Sequence, residues 1–188
     1  DVDNSDTDHF DNSVIIHEFG HFLEDTQFVS DSPGGEHNGN KVIDPRLAWS
    51  EGWGNFFQAA VRGDNYYIDT MGNTSGSTSF IFRIDLEPNG SSAANDRPVF
   101  AGEGNFREFS VTRLLYDVND STSSDPNNDN DSVNDDFVAL WAGLVSPNGF
   151  ARSALEFRDI GALHDVVQNI LSPSHDWSSL RTVEKQGN

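Results

Sequence analysis

The sequence predicts a mainly α-helical domain with a small β component, organised around two helices that pack on each other. Three observations predict it. Residues 12 to about 25 carry apolar side chains at helical spacing, residues 46–62 repeat such a pattern after Pro45, and residues 80–87 alternate as a strand does. The 188 residues suit one domain with a sizeable core, and no repeat or clear boundary divides them.

Residues 1–11 are acidic and read as loop, with Asp1, Asp3, Asp6 and Asp8 forming a solvated tail. Asn12 or Ser13 can cap the first helix. Its apolar residues Val14, Ile15, Ile16, Phe19, Phe22 and Leu23 lie nearly all round, which predicts burial on several sides. A glycine- and asparagine-rich loop follows over residues 30–40. The second helix carries Leu47, Trp49, Trp53, Phe56, Phe57 and Val61. A polar turn at 73–79 leads into the strand, which sets Phe80, Phe82, Ile84 and Leu86 on one face. After a loop at 88–98, a third helix is expected from about 105 to 118, with Phe109, Val111, Leu114, Leu115 and Val118 apolar. Residues 119–136 are an acidic low-complexity loop, and shorter helices are expected at about 135–145 and 161–171.

The formal net charge is −20, with only Lys41 and Lys185 as lysines, so the chain should repel nucleic acid and anionic membranes. No apolar run is long enough to cross a bilayer, so no membrane insertion is expected. The first residues do not read as a signal peptide, and the chain is compatible with the mature part of an exported, extracellular precursor. The absence of cysteine rules out disulfides and thiolate metal sites, so any zinc must be held by histidine and carboxylate.

The most informative segment is His17-Glu18-Phe19-Gly20-His21, an H-E-x-x-H pattern. On a helix, residues four apart share a face, so both imidazoles can address one ion, and the glutamate between them can take a proton from water. The pattern predicts a zinc ion held by His17 and His21, with Glu18 as general base in hydrolysis, most often of peptide bonds. A catalytic zinc takes three protein ligands and keeps one open position. The H-E-x-x-H-x-x-G-x-x-H extension is ruled out by Glu24 and Gln27. Asp25 lies one turn beyond His21 and could reach the metal, but the better third candidate is Glu51, in Ser50-Glu51-Gly52-Trp53-Gly54-Asn55. Gly52 and Gly54 each cost about 1 kcal/mol in a helix, which suggests close approach of the second helix to the first. The alternative is a helix that starts only after Gly54.

An H-E-x-x-H helix, a loop and a second helix with E-G-W resembles the gluzincin metallopeptidases, most of all the fungalysin-like enzymes and more distantly the thermolysin-like ones. The likeness covers roughly residues 14–61, with a weaker echo at 108–117. It implies a zincin-like helical core, with Glu51 as third zinc ligand. It also implies that Asn55 stands where those families place an aspartate that orients the first histidine. It further implies a downstream histidine that stabilises the oxyanion. The comparable stretch, Val99-Phe100-Ala101-Gly102-Glu103, has none, so Tyr66, Tyr67, His37 and Arg107 become the candidates. His9, His164 and His175 are expected to play no part. Such enzymes also carry a sheet ahead of the metal helix, and only 16 residues precede His17; either an upstream lobe is absent or the 80–87 strand serves.

The expected function is that of a zinc metallopeptidase acting on a protein or peptide substrate. Two readings compete: a non-catalytic zinc-binding or interaction domain of the same fold, and a metal-dependent hydrolase of another substrate class. Calcium is a further candidate cofactor, because Asp125, Asn127, Asp129 and Asp136 fall at ligand positions of a twelve-residue calcium loop. The competing reading there is a solvated loop.

Overall fold

The computed structural model describes residues 8–27, 29–38, 41–71, 80–86, 106–119, 136–147 and 149–150. Helix α1 spans Asn12–Gln27 and α2 spans Pro45–Arg62. Strands β1 (Tyr66–Met71) and β2 (Phe80–Asp85) follow, then α3 (Glu108–Asn119) and α4 (Phe137–Val145). The described part is therefore mostly helical with a two-stranded antiparallel sheet, in which Tyr67 faces Ile84 and Asp69 faces Phe82. The polar turn expected at 73–79, the 88–98 loop, most of the calcium-like loop and the helix expected at 161–171 lie outside the described residues, as do His164 and His175.

Helix α2 is the centre of the fold, packing on α1 along one side and on α3 along another. Its start is fixed locally. Asp44 accepts from the Arg46 backbone N–H at 2.9 Å, and Pro45 has no N–H to leave unsatisfied in the first turn. Its end is fixed by Gly63, whose φ of 62° is a left-handed cap with its N–H bonded to the Ala59 carbonyl. Gly52 and Gly54 lie inside this helix, so the alternative of a start after Gly54 is not what the chain adopts.

Trp49, Trp53 and Phe56 of α2 are fully buried with Val111, Leu115 and Val118 of α3 and Leu140 and Leu144 of α4. A neighbouring cluster of Ala59, Ile84, Leu86 and Phe109 attaches the hairpin. All five apolar positions expected on the third helix are buried. That helix begins at Glu108, later than the apolar pattern suggests, and the Phe106 carbonyl is taken by the Ile43 N–H at 3.0 Å.

Two expectations need correction. The first helix is not buried on several sides. Its buried residues are Ser13, His17, Gly20 and Glu24, whereas Ile15, Phe19 and Phe22 are 47%, 51% and 57% exposed. Those buried positions fall one or two turns apart and form a single polar stripe against α2. Second, Gly52 serves α3 and not α1: a Cβ there would stand 2.6 Å from the Val111 Cβ and 2.8 Å from the Glu108 carbonyl. Gly54 does serve α1, as expected, and Gly20 answers it from the other helix, its missing Cβ 3.4 Å from the Gly54 Cα. Strand β1 escaped the sequence reading, although Tyr66-Tyr67-Ile68 has the aromatic and β-branched content of a strand.

Candidate metal centre

The α1–α2 crossing assembles the site. His17, on the buried stripe, and His21, one turn on and part-buried, turn their Nε2 atoms toward each other at 3.0 Å. Glu51 comes across from α2, its Oε2 lying 3.3 Å from His17 Nε2 and 3.4 Å from His21 Nε2. Two imidazole nitrogens and a carboxylate oxygen are all electron-pair donors, so their convergence calls for a cation or a proton between them.

The spacing suits zinc. With bonds of about 2.0–2.1 Å, tetrahedral neighbours stand about 3.3 Å apart, close to the observed edges of 3.0, 3.3 and 3.4 Å. The circle through the three atoms has a radius of about 1.9 Å, so a centre about 2 Å from each lies just out of their plane. These three side chains form one of two convergent groups of possible ligands among the described residues. The other, Asp8, Asp11 and Asp69, is held by the fold, the Asp11 carboxylate accepting from the Thr70 N–H at 2.7 Å and its hydroxyl at 2.8 Å. Asp25, the other candidate third ligand, is exposed on α1 and belongs to neither group.

The far side of each ring is also occupied. His17 Nδ1 donates to Asn55 Oδ1 at 3.0 Å, so the amide at position 55 does meet the first histidine. His21 Nδ1 faces Ser50 Oγ at 3.3 Å and Glu24 Oε2 at 3.6 Å. Both rings are thus held through Nδ1, which makes Nε2 the atom each would offer to a metal ion. Burial works against a charged His21, but the Glu24 and Glu51 carboxylates outweigh it and push its pKa up to about 10 in the metal-free chain. Burial likewise opposes the Glu51 anion, yet hydrogen bonds from His17 and His21 and the nearby imidazolium charge hold it well below the usual carboxylate range.

Glu18 follows His17 in the chain and is exposed. Its charge is among those that, after burial and with Asp69, Glu108 and Asp8, push the Tyr67 phenol above its ordinary range. The Tyr67 ring lies 6.0 Å from the His17 ring, centroid to centroid. Of the four candidate oxyanion donors, His37 approaches the cluster through Glu51, and Tyr67 packs its ring against His17. His37 Nε2 is 3.5 Å from Glu51 Oε1, and its Nδ1 is 2.8 Å from Glu108 Oε2. That hydrogen bond raises the His37 pKa against its partial burial, with Glu51 adding to the effect. Gly34 and Gly35, at φ of 64° and 128°, bend the loop that carries it. Tyr66 is engaged elsewhere, with the Arg83 guanidinium 3.6 Å over its ring, and Arg107 precedes Glu108 at the start of α3. The exposed His9 ring lies tilted against Phe10, 4.0 Å between centroids. Glu108 and Glu24 were not singled out by sequence reasoning. Their burial at 5% and 1% is the signal that marks them, and it is visible only in the fold.

Asp136, the last position of the calcium-like loop, caps α4 and accepts from the Ala139 N–H at 2.8 Å. The loop's other candidate ligands lie outside the described residues.

Residues 1–140 match the family model described as the Mycolysin C-terminal domain. No curated protein and no solved structure matches the chain.

Proposed function

The chain belongs to the Mycolysin C-terminal domain family, a domain of mycolysin/fungalysin-type metallopeptidases, and from its own residues we propose that it holds a zinc ion and hydrolyses peptide bonds at that ion. The single observation that carries the proposal is the convergence of His17, His21 and Glu51 within 3.4 Å of one another. The family ties the chain to metallopeptidases; the chemistry is read from the residues.

Bound by those three side chains, zinc would acidify a water molecule and polarise a carbonyl. Glu18, beside His17 and open to solvent, takes the proton of the attacking water at its carboxylate and returns it to the leaving amine. Asn55 fixes the His17 ring through Nδ1. His37 and Tyr67 stand on the rim as N–H and O–H donors toward a developing oxyanion. On this reading the helical core is of the zincin-like kind and its substrate a protein or peptide. Its location is outside the cell, as for mycolysin-type proteases generally.

The test is cleavage of casein by the zinc-loaded chain and by Glu18→Ala, each with its zinc content measured. Cleavage that falls at least about a hundredfold with zinc retained supports the reading. Equal rates in the two proteins remove it.

A second reading has its own support. The matched family is described as a C-terminal domain, and the sequence offers no histidine in 99–103. Under this reading the chain is a non-catalytic zinc-binding or interaction domain within a peptidase. Zinc would then bind one to one, and neither protein would cleave casein.

A further inference from the structure

Glu24 is 1% exposed, the least exposed carboxylate of α1. Burying a carboxylate costs several kcal/mol unless something compensates it. Among the described residues its partners are Ser50 and His21. Ser50, itself 4% exposed, donates its hydroxyl to Glu24 Oε2 at 2.6 Å, a short charge-assisted bond. With its proton so committed, the Ser50 oxygen can only accept from His21 Nδ1 at 3.3 Å. The chain of donors runs one way: ring N–H to hydroxyl, hydroxyl to carboxylate. That direction fixes a proton of His21 on Nδ1, so it is the proton at Nε2, facing Glu51 and His17, that a metal ion would displace.

The two histidines are therefore supported unequally. His17 is backed by the neutral amide of Asn55, whereas His21 is backed by an anion. A carboxylate behind an imidazole makes it a more basic ligand than an amide does.

We propose that Glu24, acting through Ser50, is the positioning residue that orients His21 and supplies the metal site with the charge that Asn55 does not supply to His17. The inference rests on the zinc reading of His17, His21 and Glu51. It assigns the site's outer charge to the metal helix itself, one turn beyond the second histidine, and gives Ser50 a role as relay. Glu24 need not touch substrate.

The experiment measures zinc affinity of the full chain by competition with a chromophoric chelator. The proteins are wild type, Glu24→Gln, Ser50→Ala and the double variant Glu24→Gln/Asn55→Asp. Thermal unfolding of each metal-free protein reports on folding. Glu24→Gln should lose about 10–100-fold in zinc affinity. Ser50→Ala should lose less, in the same direction. The double variant should recover most of the loss, because Asn55→Asp returns a negative charge to the cluster through the other ring. A role confined to packing would not be rescued from across the site.

The proposal is overturned by a folded Glu24→Gln that binds zinc like wild type, or by a loss that Asn55→Asp leaves untouched. If Glu24→Gln does not fold, Ser50→Ala decides alone, with 15N chemical shifts of His21 read in the metal-free protein at a pH where its ring is neutral. Retained affinity with an unchanged Nδ1–H tautomer overturns the proposal; lowered affinity with a mixed tautomer supports it. A wild type that takes up no zinc overturns both this inference and the metal reading, whereas zinc-binding wild type with an unaffected Glu24→Gln overturns this inference only.

Discussion

Gly54→Ala separates a helix position from a site position. An alanine here should help the helix by about 1 kcal/mol, the usual gain over glycine in a helix interior. The crossing forbids that gain. A Cβ on residue 54 would stand 2.8 Å from His17 Cε1 and Nδ1 and 3.0 Å from its Cγ. Carbon atoms pack at about 3.5–4.0 Å, so the ring must retreat by about 0.7 Å or the helices must part. Overpacking of this kind costs about 1–3 kcal/mol, which leaves a net loss of up to about 2 kcal/mol in the metal-free protein.

The effect on the metal should exceed the effect on the fold. Ligand distances in a metal site tolerate about 0.2 Å, well below the expected ring shift. His17 would also draw away from Asn55 Oδ1, now 3.0 Å distant. Zinc affinity should fall at least about tenfold, the scale of a lost supporting contact. Chelator competition reads the affinity, and urea unfolding of the metal-free protein reads the stability. A variant that gains about 1 kcal/mol and binds zinc as wild type does would show that the Gly54–His17 contact does not govern the site.

Further outcomes follow from the same geometry. In the metal-free protein, the raised His21 pKa contributes stability that is complete below about 6.5 and lost as pH rises toward about 10. The depressed Glu51 pKa contributes stability present above about 4.5 and lost as pH falls below it. The urea midpoint should therefore be highest between those limits, and a midpoint still rising from pH 7 to pH 9 would contradict the assignment. Zinc uptake at pH 7 should release about one proton from the cluster, read by calorimetry in buffers of different ionisation enthalpy; no release would contradict a protonated His21. Trp53→Phe removes the indole N–H that bonds the Gly20 carbonyl at 3.0 Å and should destabilise by about 1–3 kcal/mol, with zinc affinity falling as the crossing loosens. A change below about 0.5 kcal/mol in urea unfolding would deny that bond its part in holding the two helices together.

The parts of the site that were legible in the sequence are those set by short-range geometry. Four-residue spacing puts His17 and His21 on one face whatever surrounds them. Asp44 and Pro45 fix where α2 begins, and so which of its side chains face α1. What hydrophobicity could not reveal was the face that α1 buries. Its largest apolar side chains, Ile15, Phe19 and Phe22, are exposed, while Ser13, His17, Gly20 and Glu24 are buried. An apolar count misses this polar stripe, although Ile16 and Leu23 of the same helix do pack, partly buried, on the core. Gly52 was assigned to the wrong neighbour for a related reason. Its partner, Val111, lies far along the chain, and nothing local distinguishes a glycine that admits α3 from one that admits α1. The His37–Glu108 pair, separated by 71 positions, is equally invisible without the fold.

The segment Ser50-Glu51-Gly52-Trp53-Gly54-Asn55 carries most of the architecture. Positions 50, 51, 54 and 55 occupy one face of α2, and each meets a histidine: Ser50 behind His21, Glu51 between the two rings, Gly54 flat against His17, Asn55 behind His17. Gly52 faces α3, and Trp53 is fully buried while its indole N–H ties back to Gly20 on α1. One and a half turns of helix thus hold the converging carboxylate, a polar group behind each ring, the clearance for a ring and the indole that ties the crossing. On the proposed zinc reading, the contacts that hold the helices together also bring the three donors together, so occupancy and folding should be coupled. A cation at the centre replaces the repulsion of three converging lone pairs with three bonds, and it stabilises only the folded chain. Substitutions on this face of α2 should therefore move zinc affinity and metal-bound stability together. Substitutions on the α3-facing side should act first on the metal-free fold.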